Sequence, residues 1–553
     1  MPNFLETVFS QLQRSADRVA LREVRGEQVV SVTGKELLER VQGARSFLRA
    51  RGIQPGDRCA MLGANSIQWI ACDLALMAER AVVVPLYSRQ AAADLVGMLK
   101  DCGPRLLLTG DEALGAAVVN AWSEAPPVVP FEEAIRGKSL DHPLEKAPLP
   151  RAGDDLVTII YTSGTSGEPK GVCLTTGNLT HMIGCTTERL QQLMAGRREP
   201  DRIFHYLPLN FAASWIVMLS ALTRESEFTL STDLNKLADE IRIAAPNYFL
   251  NVPTLLERVR RGVEENIAKQ VSPIRALYAR VKESWQRRHA GRRRVLDGLW
   301  LDLGDMLIFG KIRARFGSHL MALICGSAPL APETQQFFLM LGIPVLQGYG
   351  LTETTGICTL DDPRIPLESG HVGQAVPGIE MRIGDNEEIL VRGPNIFAGY
   401  WNRPQETARV MEDGWFHTGD QGEVNVGGNW RIIGRIKNLI ILNSGHNIAP
   451  EPIEDRVAQL LPGAHQIVLV GNGKGYLCAL VAGNVADGDV QAALDKMNPE
   501  LPHYRQIRNF VVLSEAFTAE NGLLTANGKL RRDVINTRFA VEISAMYGRK
   551  ATA

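Results

Sequence analysis

The stretch "YTSGTSGEPKGV", at residues 161–172, combines glycines, hydroxyl side chains and one lysine directly after an apolar run. Glycines let the backbone fold tightly enough to point several N–H groups at one anion, and the lysine adds a positive charge. This composition predicts a polyphosphate-binding loop. A Walker loop is disfavoured, because that motif needs Ser or Thr after the lysine and Gly171 stands there. The phosphate-binding candidates are Thr162, Ser163, Gly164, Thr165, Ser166, Gly167 and Lys170.

Buried strands that alternate with helical patterns must position this loop. The predicted strands are "RCAMLG" (58–63), "AVVVPLY" (81–87), "RLLLTG" (105–110) and "LVTIIYTSG" (156–164). A helical pattern covers residues 65–79. Such alternation is typical of an α/β fold with mostly parallel sheets.

The pattern changes in the second half of the chain. Short strands separated by Gly, Asn and Asp turns predict a β-rich subdomain at about 366–436. A last block with its own alternation follows. We therefore predict a large domain at 1–436 and a small α+β domain at 437–553, with the boundary at Lys437.

Composition indicates an enzyme-sized globular protein that we expect in the cytoplasm. The chain has 553 residues, 45% of them hydrophobic, and a formal net charge of −1. Neither a spanning apolar run nor a signal peptide is visible, and no nucleic-acid partner is expected. Residues 258–294 nevertheless carry twelve Lys and Arg against three acidic residues. This segment is either a solvated helical surface or a contact with an anionic membrane face.

Further motifs follow in a recognisable order. They are "GSAPL" (326–330), "QGYGLTETTG" (347–356), "GWFHTGD" (414–420), "GRIKNLI" (434–440) and "LTANGKLRR" (524–532). With the loop at 161–172 they resemble the adenylate-forming superfamily of AMP-forming acyl and aryl ligases, over essentially the whole chain. "NIAPEPIE" (447–454) and "LIFGKIRARFG" (307–317) are most similar to long-chain fatty acyl-CoA ligases.

The resemblance implies a reaction in two steps. A carboxylate attacks the α-phosphate of ATP, which gives acyl-AMP and pyrophosphate, and the thiol of CoA then displaces AMP. ATP and Mg²⁺ are implied, with CoA as second substrate. No protein nucleophile is needed, so catalysis is expected to neutralise charge and align the reactants.

The resemblance also assigns roles to residues. Lys529, Glu353, Thr352 and Thr165 are the implied catalytic residues, and Glu353 and Thr165 are also the implied magnesium ligands. Beside the loop, the implied nucleotide-binding set is Gly326, Ser327, Ala328, Pro329, Gly348, Tyr349, Gly350, Thr352, Asp420, Arg435 and Lys529.

The acyl pocket and the second step are assigned on the same basis. Phe211, Trp215, Gly326 and Tyr349 are the implied acyl-pocket residues, Lys437 the hinge, and Gly445 the passage for CoA. Trp215 is either a gate or a core residue. Phe211 stands where the family commonly has histidine, and Asn438 stands where an acidic residue is usual.

Three alternatives stay open. One is a fatty acyl-AMP ligase that transfers the acyl group to a carrier-protein thiol. Another is a CoA ligase for an aryl, branched or sterol acid. The third is a non-catalytic acyl- or nucleotide-binding protein, which the presence of both Glu353 and Lys529 disfavours.

Overall fold

The computed structural model describes residues 2–137, 147–163, 169–195, 197, 199–518, 520–525 and 528–548, without the side chain of Ser163. It confirms the predicted α/β class, with large sheets in the first 400 residues and a smaller sheet near the C-terminus. Helices begin where the sequence supplies caps. Asn3 and Thr33, for example, each accept a backbone N–H and are capped in return by the glutamate three residues later.

Two large, mostly parallel sheets dominate the described part of the chain. In spatial order, the nine-stranded sheet contains Gln374–Ala375, Thr359–Leu360, Val345–Tyr349, Ala322–Cys325, Tyr248–Asn251, Asp201–His205, Ser226–Leu230, Val19–Arg25 and Gln28–Thr33. The seven-stranded sheet contains Gly399–Tyr400, Pro169–Thr175, Leu156–Ser163, Val82–Leu86, Arg58–Leu62, Leu106–Thr109 and Val128–Pro130. The antiparallel pairs lie toward the ends of these sheets, where they carry the loops of the candidate site.

Helices cover these sheets and bury a common apolar core. They are Phe4–Arg14, Gly34–Ala50, Ile67–Ala78, Ala92–Cys102, Glu112–Ala121, Phe131–Ile135, Thr176–Leu193, Ala212–Leu222, Leu237–Ala244, Pro253–Ala268, Ser272–His289, Asp297–Gly304, Gly310–Arg313, Pro332–Met340 and Pro404–Val410. A π-helix spans Asp305–Phe309, and short 3-10 turns span Leu234–Lys236, Ala314–Phe316, Thr352–Thr354, Asp385–Glu387 and Ile436–Asn438. Within the described ranges, none of the helices has the length and apolar character needed to cross a bilayer.

A β-rich segment and a C-terminal α+β block complete the fold. The β-rich sheet contains Glu380–Ile383, Glu388–Arg392, Trp415–Val424 and Met411–Glu412, and Trp430–Arg435 also pairs with Trp415–Val424. The later strands are Ile440–Ile441 with Asn447–Ile448, and then Ala464–Val470, Leu477–Gly483 and Ile507–Leu513. The later helices are Glu451–Leu460, Asp487–Met497, Arg532–Arg538 and Ala540–Gly548, with 3-10 turns at Asn498–Glu500 and His503–Arg505. The domain boundary at Lys437 stays a prediction.

A buried ion pair ties the end of the chain to the first helix of the C-terminal block. Arg532 donates to both carboxylate oxygens of Glu454, at 2.8 and 2.5 Å. The carboxylate also accepts the backbone N–H of Leu469 at 2.7 Å. Because both side chains are largely buried, this pair fixes the position of the segment that directly precedes Arg532.

We predict that Glu454→Gln destabilises the C-terminal block by about 2 kcal/mol, because the buried Arg532 loses its bidentate carboxylate partner and keeps only Glu451, at 3.8 Å. Hydrogen exchange of strand Leu477–Gly483 measures the free energy of opening. The matched control is Glu423→Gln, which breaks the exposed Arg431–Glu423 pair and is expected to cost less than about 1 kcal/mol. Equal effects of the two changes would contradict the prediction.

Candidate functional site

The Gly/Ser/Thr loop joins two antiparallel strands. Thr162 lies opposite Lys170 in the register, so the two ends of the loop are neighbours. Among the predicted phosphate-binding residues, Gly164, Thr165, Ser166 and Gly167 lie outside the described residues, and so does the side chain of Ser163. The described part therefore places only Thr162 and Lys170 at the base of this loop.

Lys170 already has an anionic partner within the protein. Its ammonium forms a salt bridge with Glu406, from helix Pro404–Val410, and it also lies 5.3 Å from the centre of the Tyr400 ring. The Lys170 ammonium holds the pKa of the Glu406 carboxyl below its usual value. Glu406 therefore neutralises the positive charge of Lys170, which is the charge that the predicted phosphate contact would use.

The same tyrosine connects this lysine to Glu353. The hydroxyl of Tyr400 donates to Glu353 Oε1 at 2.9 Å. Glu353 lies in the 3-10 turn Thr352–Thr354. Close packing holds this turn, because a Cβ at Gly350 would come within 2.5 Å of the backbone of Ile357. Lys170, Tyr400 and Glu353 thus form one connected set of contacts.

Asp420 is a buried carboxylate at the centre of the site. It accepts the Tyr349 hydroxyl at 2.9 Å and the Arg435 guanidinium Nε–H at 2.8 Å. Arg435 is its direct partner across the antiparallel strands. Burial raises the pKa of Asp420, although Arg435 and then Tyr349 act in the opposite direction. The geometry thus joins the predicted adenine residue Tyr349 to the predicted ribose residues Asp420 and Arg435.

Two further lysines share this electrostatic environment. Lys529 is exposed, but partial desolvation of its ammonium in the cleft, followed by the positive charge of Arg435, lowers its pKa, while Asp420 and Glu353 act to raise it. Partial desolvation and then Arg435 lower the pKa of Lys437 in the same way. Crowding of cations around few anions favours a ligand with several negative charges.

A tight turn presents Lys529 to this cleft. Thr525 and Lys529 exchange hydrogen bonds, with the Lys529 N–H donating to Thr525 Oγ1 at 3.0 Å and the Thr525 N–H donating to the Lys529 carbonyl at 2.8 Å. Gly528 has φ +75°, a value that side chains other than glycine rarely adopt. Arg532 anchors the turn through Glu454. The predicted catalytic lysine is therefore held by its own motif.

The "GSAPL" segment follows a buried parallel strand, Ala322–Cys325. Ser327 has φ +73°, which is strained for a residue with a side chain. A Cβ at Gly326 would lie 3.2 Å from the carbonyl oxygen of Gly348, so the two predicted nucleotide segments are in close contact. Ser327, Ala328 and Pro329 are exposed, as a binding surface requires.

The predicted acyl-pocket residues differ in environment. Phe211 precedes helix Ala212–Leu222, and its ring lies 5.9 Å from that of Tyr87. Trp215 is only 1% exposed, and its indole N–H donates to Asp73 at 2.8 Å. Burial raises the pKa of the Asp73 carboxyl to about 7. In this conformation Trp215 has the contacts of a core residue, and its gating role stays a prediction.

The residues predicted for the second step follow Lys437, the predicted hinge, in the chain. Gly445 has φ +81°, and its neighbour His446 stacks on Tyr504 at 4.2 Å within the C-terminal block. Asn438 donates to Glu451 at 2.5 Å. An acidic residue at 438 would instead place two carboxylates side by side. The structure brings Lys529 to the cleft and gives no contact between Gly445 and the site within the described residues.

Sequence reasoning missed three residues that hold the site. They are Tyr400, Glu406 and Glu454. Glu406 and Tyr400 lie in "GYWNRPQET", more than 200 residues after Lys170. An aromatic-rich segment with one glutamate was the only signal, and its partners were not readable from spacing. Glu454 lies inside "NIAPEPIE", a segment whose family resemblance does not indicate an ion pair with Arg532.

Comparison with known proteins fits this geometry. The model of the AMP-binding enzyme family matches residues 8–401, and that of the AMP-binding enzyme C-terminal domain matches residues 437–551. The chain belongs to the AMP-binding enzyme family. This confirms the superfamily that the motifs indicated.

Individual relatives cover nearly all of the chain. It is 29% identical to the long-chain-fatty-acid–CoA ligase FadD15 of Mycobacterium bovis, over 99% of this chain and 97% of that protein. It is 25% identical to the chloroplastic long-chain-fatty-acid–[acyl-carrier-protein] ligase AEE15 of Arabidopsis thaliana, over 97% and 86%. The solved O-succinylbenzoate CoA synthetase of Bacillus subtilis, in complex with ATP and magnesium, has a TM-score of 0.73 at 21% identity, over 96% and 98%. At that identity the structural likeness supports the fold.

Because Glu406 neutralises Lys170, we predict that Glu406→Gln tightens the binding of pyrophosphate by about fivefold, the scale of one partly exposed ion pair. Isothermal titration of pyrophosphate into wild type and variant measures the change. Glu412→Gln, at a 78% exposed side chain on a nearby strand, is the control and should leave binding unchanged. Weaker binding by Glu406→Gln would mean that Glu406 orients the lysine instead of competing for it.

Proposed function

We propose that this chain is a long-chain fatty acid–CoA ligase that forms AMP. It activates a fatty acid with ATP to acyl-AMP and then transfers the acyl group to the thiol of CoA. The observation that carries the proposal is the convergence of Lys170, Arg435, Lys437 and Lys529 around Asp420 and Glu353. The FadD15 relative, which covers nearly the whole chain, supports the choice of acid and acceptor.

The first step brings a carboxylate toward a polyanion, so positive charge must be in place before the reactants meet. Lys529 is the proposed catalytic residue, since it is the cation that the C-terminal turn delivers. It would lie between the acid and the α-phosphate, where negative charge develops. Lys170 and Thr162 would hold the β- and γ-phosphates together with Ser163, Gly164, Thr165, Ser166 and Gly167.

Asp420, Arg435 and Tyr349 would hold the nucleoside. A carboxylate can accept two hydroxyl hydrogens, which matches the ribose diol. Because Tyr349 and Arg435 use one donor each on Asp420, lone pairs remain for the ribose. Tyr349 would offer its ring to adenine beside Gly348, Gly350 and the segment Gly326 to Pro329.

A magnesium ion fits the residues present. Glu353 offers a carboxylate at the cleft, and Mg²⁺ commonly takes one or two protein carboxylates and fills its other positions with water and phosphate oxygens. When bound, the ion would neutralise phosphate charge. Glu353 would hold it, with Thr165 as the second predicted ligand and Thr352 beside the α-phosphate.

Thioester formation requires a different set of groups near acyl-AMP. We propose that the C-terminal block turns about Lys437, which withdraws Lys529 and brings Gly445 to the acyl group. The Asn438–Glu451 contact lies within the C-terminal block beside the proposed hinge, so it would turn with the block. Phe211, Trp215, Gly326 and Tyr349 would line the acyl pocket, with Trp215 moving from its Asp73 contact when a long chain enters.

A carrier-protein thiol is the second candidate acceptor. The relative AEE15, by its name an acyl-carrier-protein ligase, covers 97% of this chain and favours keeping this candidate. Aryl, branched or sterol acids are the alternative substrates with CoA. We propose the cytoplasm as the location, with peripheral membrane contact through the basic segment 258–294.

Product analysis by mass spectrometry tests the proposal. The protein is incubated with ATP, Mg²⁺ and a panel of acids from acetate through long-chain fatty acids to aryl acids, with CoA, with a holo carrier protein, or with neither. We expect acyl-CoA from long-chain acids and AMP in equal amount. Acyl-AMP that accumulates regardless of CoA and is consumed only by the carrier protein would favour the second acceptor.

The lowered pKa of Lys529 gives the proposal a pH signature. A lysine whose pKa lies below 10.5 loses its proton, and with it the activity, as pH rises through that lowered value. Arginine stays protonated to above about pH 12. We predict that Lys529→Arg lowers kcat/KM for acyl-AMP formation without CoA and moves its alkaline limb up by more than about one pH unit.

Lys496→Arg, on the exposed face of helix Asp487–Met497, is the control for the effect of a guanidinium as such. It should leave the whole profile in place. Identical alkaline limbs in wild type and Lys529→Arg would show that another group sets the limb and would contradict the assignment.

A further inference from the structure

An unusual apolar surface lies directly after the basic segment. Val295 and Leu296 lie in the turn that opens helix Asp297–Gly304, and they are 99% and 59% exposed. Leu299, Met306 and Leu307 continue the surface with exposures of 54%, 67% and 41%. Five of the large exposed apolar side chains thus fall within thirteen residues. Such a concentration is typical of an interaction site, whereas single exposed apolar residues are ordinary. These five residues are called the apolar ridge below.

Helical spacing puts the ridge on one side. Leu299 lies on helix Asp297–Gly304, and Met306 and Leu307 lie about two turns later on the π-helix Asp305–Phe309 that continues it. The opposite face is buried, and it packs so closely on helix Ser272–His289 that a Cβ at Gly304 would lie 2.6 Å from Val281. Leu301, Ile308 and Phe309 pack in or against the core, so this helical segment already has one apolar side that faces the core. The ridge is a second apolar side of the same helical segment, and within the described ranges it faces solvent.

The charges beside the ridge identify its partner. Four of the twelve cations of 258–294 form salt bridges within the protein: Arg260 and Lys282 with Glu264, Arg280 with Glu283, and Arg287 with the buried Asp297. Among the other cations, Arg288, Arg292 and Arg293 lie shortly before the ridge in the chain, and they are exposed and form no salt bridge among the described residues.

The acidic groups near the ridge do not cancel these charges. Asp305 is bound by Arg313, and Asp302 remains exposed at the margin. The ridge is therefore an apolar surface flanked by unpaired arginines.

We propose that the apolar ridge and Arg288, Arg292 and Arg293 form a docking surface for an anionic lipid bilayer. The side chains of the ridge would enter the boundary between headgroups and acyl chains, and the arginines would contact anionic headgroups. The proposal narrows the membrane contact suggested above to residues 288–307. It depends on the proposed function in one respect only: that function supplies a lipid substrate for the surface to collect. A second copy of the chain would not need the unpaired cations.

Vesicle flotation tests the surface. Full-length protein is mixed with vesicles of phosphatidylcholine alone, or of phosphatidylcholine with phosphatidylglycerol, at about 0.1 M and about 0.5 M salt. We expect binding to the anionic vesicles, weakened by salt. Arg292→Gln/Arg293→Gln should reduce the partition coefficient by at least about tenfold, since each such charge contributes about a factor of five near the surface. Lys35→Gln/Lys496→Gln, at exposed cations elsewhere, should not.

A second pair of variants separates apolar insertion from charge. Leu299→Ser/Met306→Ser should reduce binding about tenfold or more while it preserves the salt dependence of the remainder. Val426→Ser/Val541→Ser, at apolar side chains that are 110% and 80% exposed, should have no effect. Thermal unfolding of each variant checks that the fold is kept. Arg292→Gln/Arg293→Gln changes only exposed side chains, so this variant tests the proposal even if Leu299→Ser/Met306→Ser unfolds.

The outcomes are distinct. Wild-type and variant proteins that bind vesicles equally, or wild type that binds none, would overturn the docking surface. A dimer in light scattering that Leu299→Ser/Met306→Ser converts to monomer would replace it by a contact between copies. Ligase activity on a long-chain fatty acid supplied in detergent micelles, without vesicles, is measured in parallel. Absence of this activity in wild type would defeat the proposed function and leave the lipid surface standing.

Discussion

The buried carboxylate of Asp420 is the interaction on which the rest of the site depends. It is 3% exposed and carries a charge that burial disfavours, so its partners must compensate for lost water. Tyr349 comes from the large, mostly parallel sheet, and Arg435 comes from the β-rich sheet that precedes Lys437, the predicted hinge. The Asp420 side chain therefore connects the two sheets through its hydrogen bonds. Its negative charge also acts on the ammonium of Lys529.

The site is arranged to receive charge. Its cations come from three separate segments of the chain, and internal anions compensate two of them: Asp420 for Arg435, and Glu406 for Lys170. These two anions differ in kind. Asp420 is locked by two donors, whereas Glu406 sits at the end of a short helix with a partly exposed side chain. Under the proposed function, a polyphosphate would replace Glu406 on Lys170 and leave the contacts of Asp420 in place.

Much of the fold can be predicted from the sequence, because the pattern of a buried strand is contained in a few consecutive residues. The strands at Arg58–Leu62, Val82–Leu86, Leu106–Thr109 and Leu156–Ser163 are continuous apolar runs, and they lie where the pattern predicted. The motif residues Tyr349, Asp420, Arg435 and Lys529 do come together. Their convergence was implied by family resemblance, because no local rule brings together residues up to 180 positions apart.

The contacts that hold those residues were less readable. Glu406 contacts Lys170, and Tyr400 contacts Glu353, because strand pairing and packing bring them together. The spacing of these residues in the sequence does not reveal either contact. Asp73 did leave a signal, as the single charged residue in the apolar helix "IQWIACDLALMA", and such a lone acid in a buried helix needs a partner. Trp215 is that partner here. The sequence allowed either a gate or a core residue for this tryptophan, since both demand the same apolar surroundings.

The central claim is that Lys529 completes the site for acid activation. Exchange of labelled pyrophosphate into ATP, with a long-chain fatty acid and without CoA, isolates that step. We expect Lys529→Ala to lower the exchange rate by at least about a hundredfold, while the dissociation constant for ATP stays within about threefold. Exchange that is unchanged in Lys529→Ala would contradict the account.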